Sequence, residues 1–342
     1  MKKTSLLLIG SYGAGNIGDE VLLEIIEQEL TSDQFKVTVL SGNLADTKAR
    51  HPHMQVAPHL PFGWRSFFKT GFKESFQAIK EADVILLGGG GLITDQENLK
   101  AVFLWAWHAF WAKLLKKRFF IISNSIDPFK TVLGRLIGKW ILKQASFISV
   151  RDPDSYNILK KLYPTKKTFN GSDPAFLYPF PKSTKYLEKN LALNIRPWKK
   201  KLPDLEKWLT QKEEEGWNIH LIATDIRDIK VLHPLVKASR KLHQPKNYQE
   251  LSEILGTCQI AIGMRLHFLI AASCMHCKVA ALAYSPKVES LMEAIEIPFL
   301  LPKEWEFKNL EKAFKEATYG KRIGEQKIKA KASFEVLRKA LV

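Results

Sequence analysis

The chain has 342 residues, of which 46% are hydrophobic, and this length predicts two packed cores because a single core rarely grows beyond about 250–300 residues. Its formal net charge of +17 favours anionic partners such as phosphorylated small molecules or anionic lipid headgroups. Nucleic acid is disfavoured because the sequence has no zinc-finger spacing, no Lys/Arg-Gly-aromatic RNA-binding run and no basic region joined to heptads.

The first half of the chain alternates apolar runs with helical patterns. Most of the runs are apolar almost throughout, as expected for strands of a parallel sheet that helices cover on both faces. Apolar residues at helical spacing predict a helix over residues 19–30, between the first two runs. The predicted strands are Ser5–Gly10, Lys36–Leu40, Asp83–Leu87, Phe119–Ser123 and Ser146–Val150.

A segment rich in proline and aromatic residues, 171–190, interrupts this alternation and is the best candidate for an interdomain linker. Beyond it the pattern restarts, with a long helix predicted over 228–243 and a basic amphipathic tail over 321–342. The predicted strands of this half are Leu191–Ile195, Ile219–Ala223, Gln259–Gly263 and Val279–Ala283.

These elements predict an α/β protein with two domains. The first spans residues 1–178 and the second 179–325, and a C-terminal helix over 326–342 packs back on the body. Two such domains facing each other would form a cleft, and parallel sheets bind ligands beyond the carboxyl ends of their strands. Candidate site residues are therefore those that directly follow a strand.

Neither the N-terminus nor the cysteines indicate export. The apolar run Leu6–Ile9 is too short for a secretory signal, and the longest apolar stretch, Ala101–Leu115, falls short of the roughly 20 residues of a spanning helix. The cysteines Cys258, Cys274 and Cys277 form no disulfide framework, and reduced packed thiols are favoured over a zinc site. We therefore expect a cytoplasmic protein, with a peripheral place at the inner membrane face compatible with its charge.

The turn after the first strand, "GSYGAGNIGDE", contains the G-x-G-x-x-G spacing of dinucleotide-binding turns. An acid should then end the second strand to bind a ribose, but that strand ends in Ser41-Gly42-Asn43, which weakens the NAD interpretation. Gly15, Asn16 and Asp19 are instead candidates for substrate contacts, and helix capping explains the two polar residues equally well.

Two further clusters follow strands of the first half. Four consecutive glycines, among them Gly90, indicate a close approach of the chain to a ligand or to another segment. Arg151 comes directly after its strand, where a guanidinium suits a carboxylate or phosphate, although a structural ion pair is the commoner role of such an arginine.

The strand ends of the second half carry the sharpest cluster. Arg265 and His267 follow one strand in "IAIGMRLHFLI", and Lys287 follows the next strand in "AYSPKVESLM". Two cations and a titratable imidazole therefore meet at one rim of the predicted sheet, which favours acid–base chemistry on an anionic substrate.

The order and wording of these clusters resemble the polysaccharide pyruvyltransferase family. The matching segments run from about residue 9 to residue 292, and the G-x-G-N-x-G-D and G-M-R-L-H elements together are far more specific than either alone. The segments are "GSYGAGNIGDE", "GGGGLI", "ISVRD", "GSDPAFL", "IRPWK", "GMRLHFLI" and "YSPKVESLM".

The resemblance implies a glycosyltransferase-B-like arrangement of two Rossmann-like domains. It also implies an enzyme that transfers pyruvyl from phosphoenolpyruvate to a sugar of a cell-surface or cell-wall glycan, commonly on a polyprenyl diphosphate lipid. The product is a pyruvate ketal. By motif, the family's functional residues fall on Arg151, His267 and Lys287.

The chemistry of the residues agrees with this assignment. Phosphoenolpyruvate carries two anionic groups, which Arg151, Arg265 and Lys287 would bind with Arg196 of "IRPWK". His267 is the candidate general acid, and Glu289 would keep it protonated. Nothing in the sequence requires a metal or a nicotinamide.

One segment departs from the family pattern, which leaves the acceptor open. The stretch 220–231, "HLIATDIRDIKV", contains two acids but lacks the glutamine that family members usually carry there. Two basic-aromatic stretches, 61–76 and 101–120, have the composition of surfaces that dock on anionic membranes, although the second also suits a core helix.

Two other functions stay open. A nucleotide-sugar-dependent glycosyltransferase would share the two-domain layout. A non-enzymatic protein that binds glycans or membranes would share the charge.

Overall fold

A computed structural model describes residues 3–31, 34–61, 71–96, 98–181, 189–198 and 204–342. The chain divides into two compact units. The first consists of Met1–Ala14, Leu22–Leu177 and Lys327–Val342, and the second of Gly15–Val21 and Tyr178–Gln326.

The first unit is built on a seven-stranded parallel sheet. Its order is β3-β2-β1-β4-β5-β6-β7, so the winding reverses between β1 and β4. A reversal of this kind is where doubly wound sheets bind ligands. The strands are β1 Thr4–Ile9, β2 Phe35–Ser41, β3 Gln55–Pro58, β4 Val84–Ile93, β5 Arg118–Ile126, β6 Phe147–Val150 and β7 Thr168–Asn170.

Helices connect these parallel strands. Several begin at side-chain caps that the sequence supplies, such as Asn43, Thr131 and Asp152, whose side-chain oxygens accept hydrogen bonds from the first turn. In chain order these helices are α1 Ile17–Leu30, α2 Leu44–Arg50, α3 Phe72–Glu81, α4 Leu99–Leu114, α5 Val132–Gln144 and α6 Pro153–Leu162.

The second unit contains a six-stranded parallel sheet with the order β10-β9-β8-β11-β12-β13, which reverses between β8 and β11. Its strands are β8 Asn190–Asn194, β9 Asn218–Ile222, β10 Arg240–His243, β11 Ile260–Gly263, β12 Lys278–Leu282 and β13 Phe299–Leu300. Its helices are α7 Leu205–Glu214, α8 Ile229–Leu232, α9 Tyr248–Leu255, α10 Leu266–Cys274, α11 Pro286–Ala294 and α12 Phe307–Glu316.

The last helix, α13 Ile323–Leu341, is anchored in the first unit over most of its length. Lys331 and Arg338 form ion pairs with Glu29 of α1, and Arg118 donates a hydrogen bond to the carbonyl of Leu341. The basic character of this tail is therefore partly neutralised by the body of that unit.

Two sequence-based expectations about elements are wrong. The predicted helix 228–243 is only a short α8, followed by a 3-10 turn over His233–Leu235 and by strand β10. Pro234 cannot continue the helical hydrogen bonding, and Arg240–His243 instead pairs in parallel with β9.

The four-glycine segment does not follow its strand as predicted, because β4 continues through it to Ile93. A Cβ at Gly88 would overlap the side chain of Ile122 on the neighbouring strand. Gly89 and Gly90 have φ angles of +76° and +111°, and the register to β5 shifts between Gly90 and Ile93. The glycines thus permit a bulge next to a close neighbouring strand.

No helix among the described residues has both the length and the apolar character needed to cross a membrane. Each unit contains a cluster of buried hydrophobic residues packed against its sheet.

Candidate active site

Three adjacent strands of the second sheet, β8, β11 and β12, end in functional side chains at the same spacing. Arg196, Arg265 and Tyr284 each stand two residues after the last residue of their strand. Because carboxyl ends of parallel strands meet at one edge, the three side chains are brought to the edge at which β8 and β11 reverse the winding.

Tyr284 lies among the cations of this edge. The guanidinium carbon of Arg196 is 4.4 Å from the centroid of its ring, and Arg196 also forms a hydrogen bond to its hydroxyl. Burial alone would raise the pKa of the phenol, but the positive charges of Lys287, Arg196 and Arg265 outweigh it and lower the pKa below its usual value. The potential at this hydroxyl is therefore positive, which suits an anionic ligand.

Lys287 supplies the leading positive charge on Tyr284. It is half-buried in the first turn of α11, directly after Pro286. Within the part of the chain that the structure describes, Lys287 makes no ion pair with a carboxylate. Glu289 follows on the same helix and is also half-buried.

Arg265, in contrast, is already paired with acids. Its Nη2 is 2.5 Å from Oδ1 of Asp228 and 3.4 Å from Oδ2 of Asp225. Burial raises the pKa of Asp228 despite the hydrogen bonds from Arg265. Burial would also raise the pKa of Asp225, but hydrogen bonds from Arg227 and the charge of Arg265 together lower it. Much of the charge of Arg265 is thus neutralised by Asp225 and Asp228, the two acids of the segment 220–231 that differs from the family pattern.

Asn194, the last residue of β8, fixes the loop that carries Arg265. Its side-chain amide donates to the carbonyl of Ile222 at 2.8 Å, and its Oδ1 accepts from the backbone N–H of Arg265 at 3.0 Å. The residue is fully buried. One side chain therefore links the ends of β8 and β9 to the loop after β11.

His267 lies in the first turn of α10, and its surroundings explain one glycine of the opening motif. A Cβ at Gly18 would overlap the imidazole ring, so only glycine lets the first turn of α1 approach it. The hydroxyl of Tyr248 donates to the carbonyl of His267 at 2.7 Å and holds the backbone of that turn. Gly18 thus permits the close approach of α1 to a histidine side chain.

The polar residues of the same motif bind each other. Asn16 Nδ2 donates to Oδ2 of Asp19 at 2.8 Å, and Asn16 Oδ1 accepts from the N–H of Gly18 at 3.1 Å, as expected of a helix cap. The N–H of Ile17 donates to the carbonyl of Thr224, and Asn16 forms an antiparallel bridge with Asp225. Gly15 is exposed with a φ of +76°. The segment is thus held against the second sheet.

Arg151 and Gly90 belong to the first unit. Nη1 of Arg151 is 2.6 Å from Oδ2 of Asp173, and its Nε donates to the hydroxyl of Ser125 at 2.8 Å. That hydroxyl donates in turn to Asp152, which caps α6. The guanidinium and both acids are buried, so the charge of Arg151 is balanced inside the unit.

The second unit therefore brings together most of the predicted site residues, but reasoning from the sequence missed Tyr284, Asn194 and Tyr248. Tyr284 had a detectable signal, because it follows its strand at the same spacing as Arg196 and Arg265. Asn194 and Tyr248 act through backbone carbonyls and N–H groups whose positions no sequence pattern reveals.

The cysteines show no sign of a metal site. Burial raises the pKa of Cys258 to about 12 and that of Cys277 well above its usual value, so both are protonated thiols. Among the described residues, no group of three His, Cys, Asp or Glu side chains is placed to hold a metal ion.

With the site described, comparison with known proteins assigns the family. The sequence model of the polysaccharide pyruvyl transferase family matches residues 16–286, which is more than half of the chain. The chain belongs to this family. It is therefore a transferase of polysaccharide biosynthesis, and the resemblance drawn from its motifs is confirmed.

A curated relative agrees with membership of the pyruvyl transferase family. The chain is 21% identical to the amylovoran biosynthesis protein AmsJ of Erwinia amylovora, and the match covers 86% of each protein.

Solved structures of similar fold confirm the predicted class of two Rossmann-like domains of glycosyltransferase-B-like type. HepE of Anabaena in complex with UDP and glucose matches with a TM-score of 0.63 at 14% identity, over 99% of both chains. MnaA of S. aureus with UDP matches with a TM-score of 0.65 at 11% identity, over 99% of this chain and 97% of that one. UDP-GlcNAc 2-epimerase of Neisseria meningitidis bound to UDP-GlcNAc matches with a TM-score of 0.63 at 12% identity, over 98% and 100%. At these identities the likeness concerns the fold alone.

Proposed function

We propose that this protein transfers the pyruvyl group of phosphoenolpyruvate to a sugar of a cell-surface or cell-wall glycan and forms a pyruvate ketal. Membership of the family supports pyruvylation of a polysaccharide. The observation that carries the choice of donor is the group of three cations, Arg196, Arg265 and Lys287, whose charges act on Tyr284. A ligand with both a carboxylate and a phosphate fits such an edge.

In this proposal the second unit holds the donor. Lys287 and Arg196 bind the donor's anionic groups, and the Tyr284 hydroxyl, on which both charges act, is a further contact. Arg265 contributes through its place beside Asp228 rather than as a free charge. Arg151 was also predicted to bind the donor, and a donor anion would there compete with the carboxylate of Asp173.

The reaction requires two sugar hydroxyls. The first oxygen bonds to C2 of phosphoenolpyruvate while a proton is added to C3, and His267 is the proposed donor of that proton. The second hydroxyl then attacks C2, the C2–O bond to phosphate breaks, and inorganic phosphate leaves with the ketal closed. One hydroxyl proton replaces the proton that His267 gave to C3, and the other passes to the departing phosphate.

The acceptor is proposed to be carried on a polyprenyl diphosphate lipid. Asn16, Asp19, Gly15 and Gly90 stay proposed contacts for the sugar, although the first two are bonded to each other. Glu289 is proposed to support the protonated form of His267.

The test is phosphate release from phosphoenolpyruvate in the presence of lipid-linked glycan acceptors. We expect His267→Ala to abolish release while the protein stays folded, and Lys287→Gln to raise KM for phosphoenolpyruvate at least about tenfold, which corresponds to about 1.4 kcal/mol. Lys230→Gln is the matched control, because Lys230 is an exposed lysine of the same unit. Full activity of His267→Ala would contradict the assignment of the acid.

A nucleotide-sugar donor is the alternative, since the structures of similar fold contain UDP or UDP-GlcNAc. Thermal unfolding separates the two. A ligand present at about 100 times its Kd stabilises the protein by about 2.7 kcal/mol, and we expect this shift with phosphoenolpyruvate and not with UDP-sugars. The reverse result would favour a glycosyltransferase, and a shift with neither would favour a non-enzymatic binding protein.

A further inference from the structure

Helices α4 and α5 of the first unit carry large apolar side chains on their outer faces. Val132 is 78% exposed, Leu136 60% and Leu114 56%. Of the twelve exposed large hydrophobic residues among those described, six belong to these two helices, which pack against each other. We call this surface the α4–α5 face, and its apolar members are Phe103, Phe110, Leu114, Val132, Leu133 and Leu136.

The core of the unit does not account for these residues. Helix α4 buries Val102, Trp105, Ala109 and Ala112 against the sheet, on the side opposite to the face. Phe103, Phe110 and Leu114 recur at spacings of seven and four residues, which places them along one outer line of the helix. An apolar line that the core leaves unused marks a surface for another partner.

The charges carried by the two helices have a single sign. From Leu99 to Gln144 the chain contains nine lysines and arginines and only one acidic residue, Asp127, which is buried. The exposed cations next to the apolar residues include Lys100, Lys113, Arg135 and Lys143. Apolar and aromatic side chains ringed by cations fit a surface of anionic headgroups over acyl chains.

Aromatic side chains support the exposed ring of Phe110. Trp107 stacks on it with centroids 5.6 Å apart, and Trp111 contacts both rings edge-on. Phe72 and Phe76 of α3 pack behind Trp111. Tryptophan and phenylalanine of this kind are typical of the boundary between headgroups and hydrocarbon.

We propose that the α4–α5 face docks on the surface of an anionic phospholipid bilayer. A second copy of the chain fits less well, because a twofold interface would set this patch against itself and place cations against cations. Both helices begin at the carboxyl edge of the first sheet, since each follows a parallel strand, so the face reaches the edge where doubly wound sheets bind ligands.

This inference rests on the proposed function only in that a lipid-linked acceptor would be met at a bilayer. Lipid binding is measured without donor or acceptor, so its failure and the failure of pyruvyl transfer are distinguishable. Of the segment 61–76, the other membrane candidate of the sequence, residues 62–70 lie outside the described residues.

The experiment is co-sedimentation of the full chain with vesicles of phosphatidylcholine alone or with 30% phosphatidylglycerol (a fraction on the order of a natural anionic leaflet). We expect binding to the anionic vesicles only. This binding should weaken as salt rises from about 50 to 300 mM, because the Debye screening length becomes shorter. The Val132→Ser/Leu133→Ser variant should lower the partition coefficient at least about tenfold, and Arg135→Glu/Lys143→Glu should do the same.

Matched control variants distinguish binding through this face from non-specific binding by other apolar or charged surfaces. Ile328→Ser/Val236→Ser removes apolar residues of similar exposure, 72% and 41% against 78% and 47%, and Lys230→Glu/Lys241→Glu reverses two exposed charges of the second unit. Both controls should bind as the parent does. The proposal is overturned if anionic vesicles do not bind, if controls and test variants lose binding equally, or if the serine variant instead dissociates a dimer.

Discussion

The guanidinium of Arg151 lies in the interior of the first unit. There it forms an ion pair with Asp173 and donates a hydrogen bond to the hydroxyl of Ser125. Removing one partner of a buried pair typically costs about 3–5 kcal/mol, because the remaining charge loses its compensation. We therefore expect Arg151→Ala to destabilise the protein by about that amount in urea unfolding.

A second substitution distinguishes this structural cost from a role in catalysis. Asp173→Asn in the Arg151→Ala background removes the stranded charge and should recover part of the stability. If activity returns with stability, Arg151 acts through the fold. Stability without activity would instead favour the predicted contact of Arg151 with the donor.

Histidine 108 gives the protein a pH dependence that does not involve the active site. Burial, with a smaller effect of His59, lowers the pKa of His108 to about 4, and its Nδ1–H donates to the carbonyl of Leu104. The unfolded chain then binds this proton near pH 6.5 and the folded chain only near 4, so stability is lost as pH falls through this window.

Between pH 7 and 5 this single group should account for a loss of about 2 kcal/mol in the free energy of unfolding. His108→Leu keeps an apolar side chain of similar size in α4 and removes the titration. Its stability should fall about 2 kcal/mol less over the same pH interval, as measured by chemical denaturation at each pH. Parallel curves for parent and variant would refute this account.

At the scale of elements, the first turns of α1 and α10 lie close together because Gly18 has no side chain. Gly18→Ala would place a methyl group on the His267 imidazole, although its backbone conformation allows alanine. We expect turnover to fall at least about tenfold, since small displacements of a catalytic group are costly. Steady-state kinetics on folded protein is the measurement.

Gly324→Ala in α13 is the matched control, because nothing lies within 4 Å of the position that its Cβ would take. Alanine should stabilise that helix by up to about 1 kcal/mol and leave turnover unchanged. Unchanged turnover in Gly18→Ala as well would mean that His267 tolerates displacement or takes no part in the reaction.

The strands that the sequence predicts and those that it hides differ in their place in the sheets. All nine predicted strands are present, with shifted ends, and each is an interior strand of its sheet. The four missed strands, β3, β7, β10 and β13, are the edges of the two sheets. Edge strands are short and partly exposed, so they lack a clear apolar pattern. They form because they pair with a neighbouring strand.

The candidate site follows the same division. Residues after interior strands could be identified because the carboxyl edge of a parallel sheet is a predictable location. Their charge state could not, because the pairing of Arg265 with Asp228 and of Arg151 with Asp173 depends on segments 37 and 22 residues away in sequence. The sequence indicates that cations lie at this edge of the sheet. Only the structure shows that Arg265 and Arg151 are paired with carboxylates and that Lys287, among the described residues, is not.

At the scale of the whole molecule, the donor should protect one unit more than the other. With phosphoenolpyruvate alone, we expect slower hydrogen exchange in residues 263–270 and 283–290 of the second unit, because the donor would order the loops that carry Arg265 and Lys287. Exchange in residues 148–156, around Arg151, should stay unchanged. Slower exchange there would instead support donor binding by Arg151.

The four edge strands have a consequence for the protein at high concentration. A long exposed edge offers unpaired N–H and C=O groups to another chain and invites aggregation. Here the edges are four residues long or shorter, and β3 ends in Pro58, which has no N–H to offer. The short length that hides these strands in the sequence therefore also makes them poor templates for a strand of another chain.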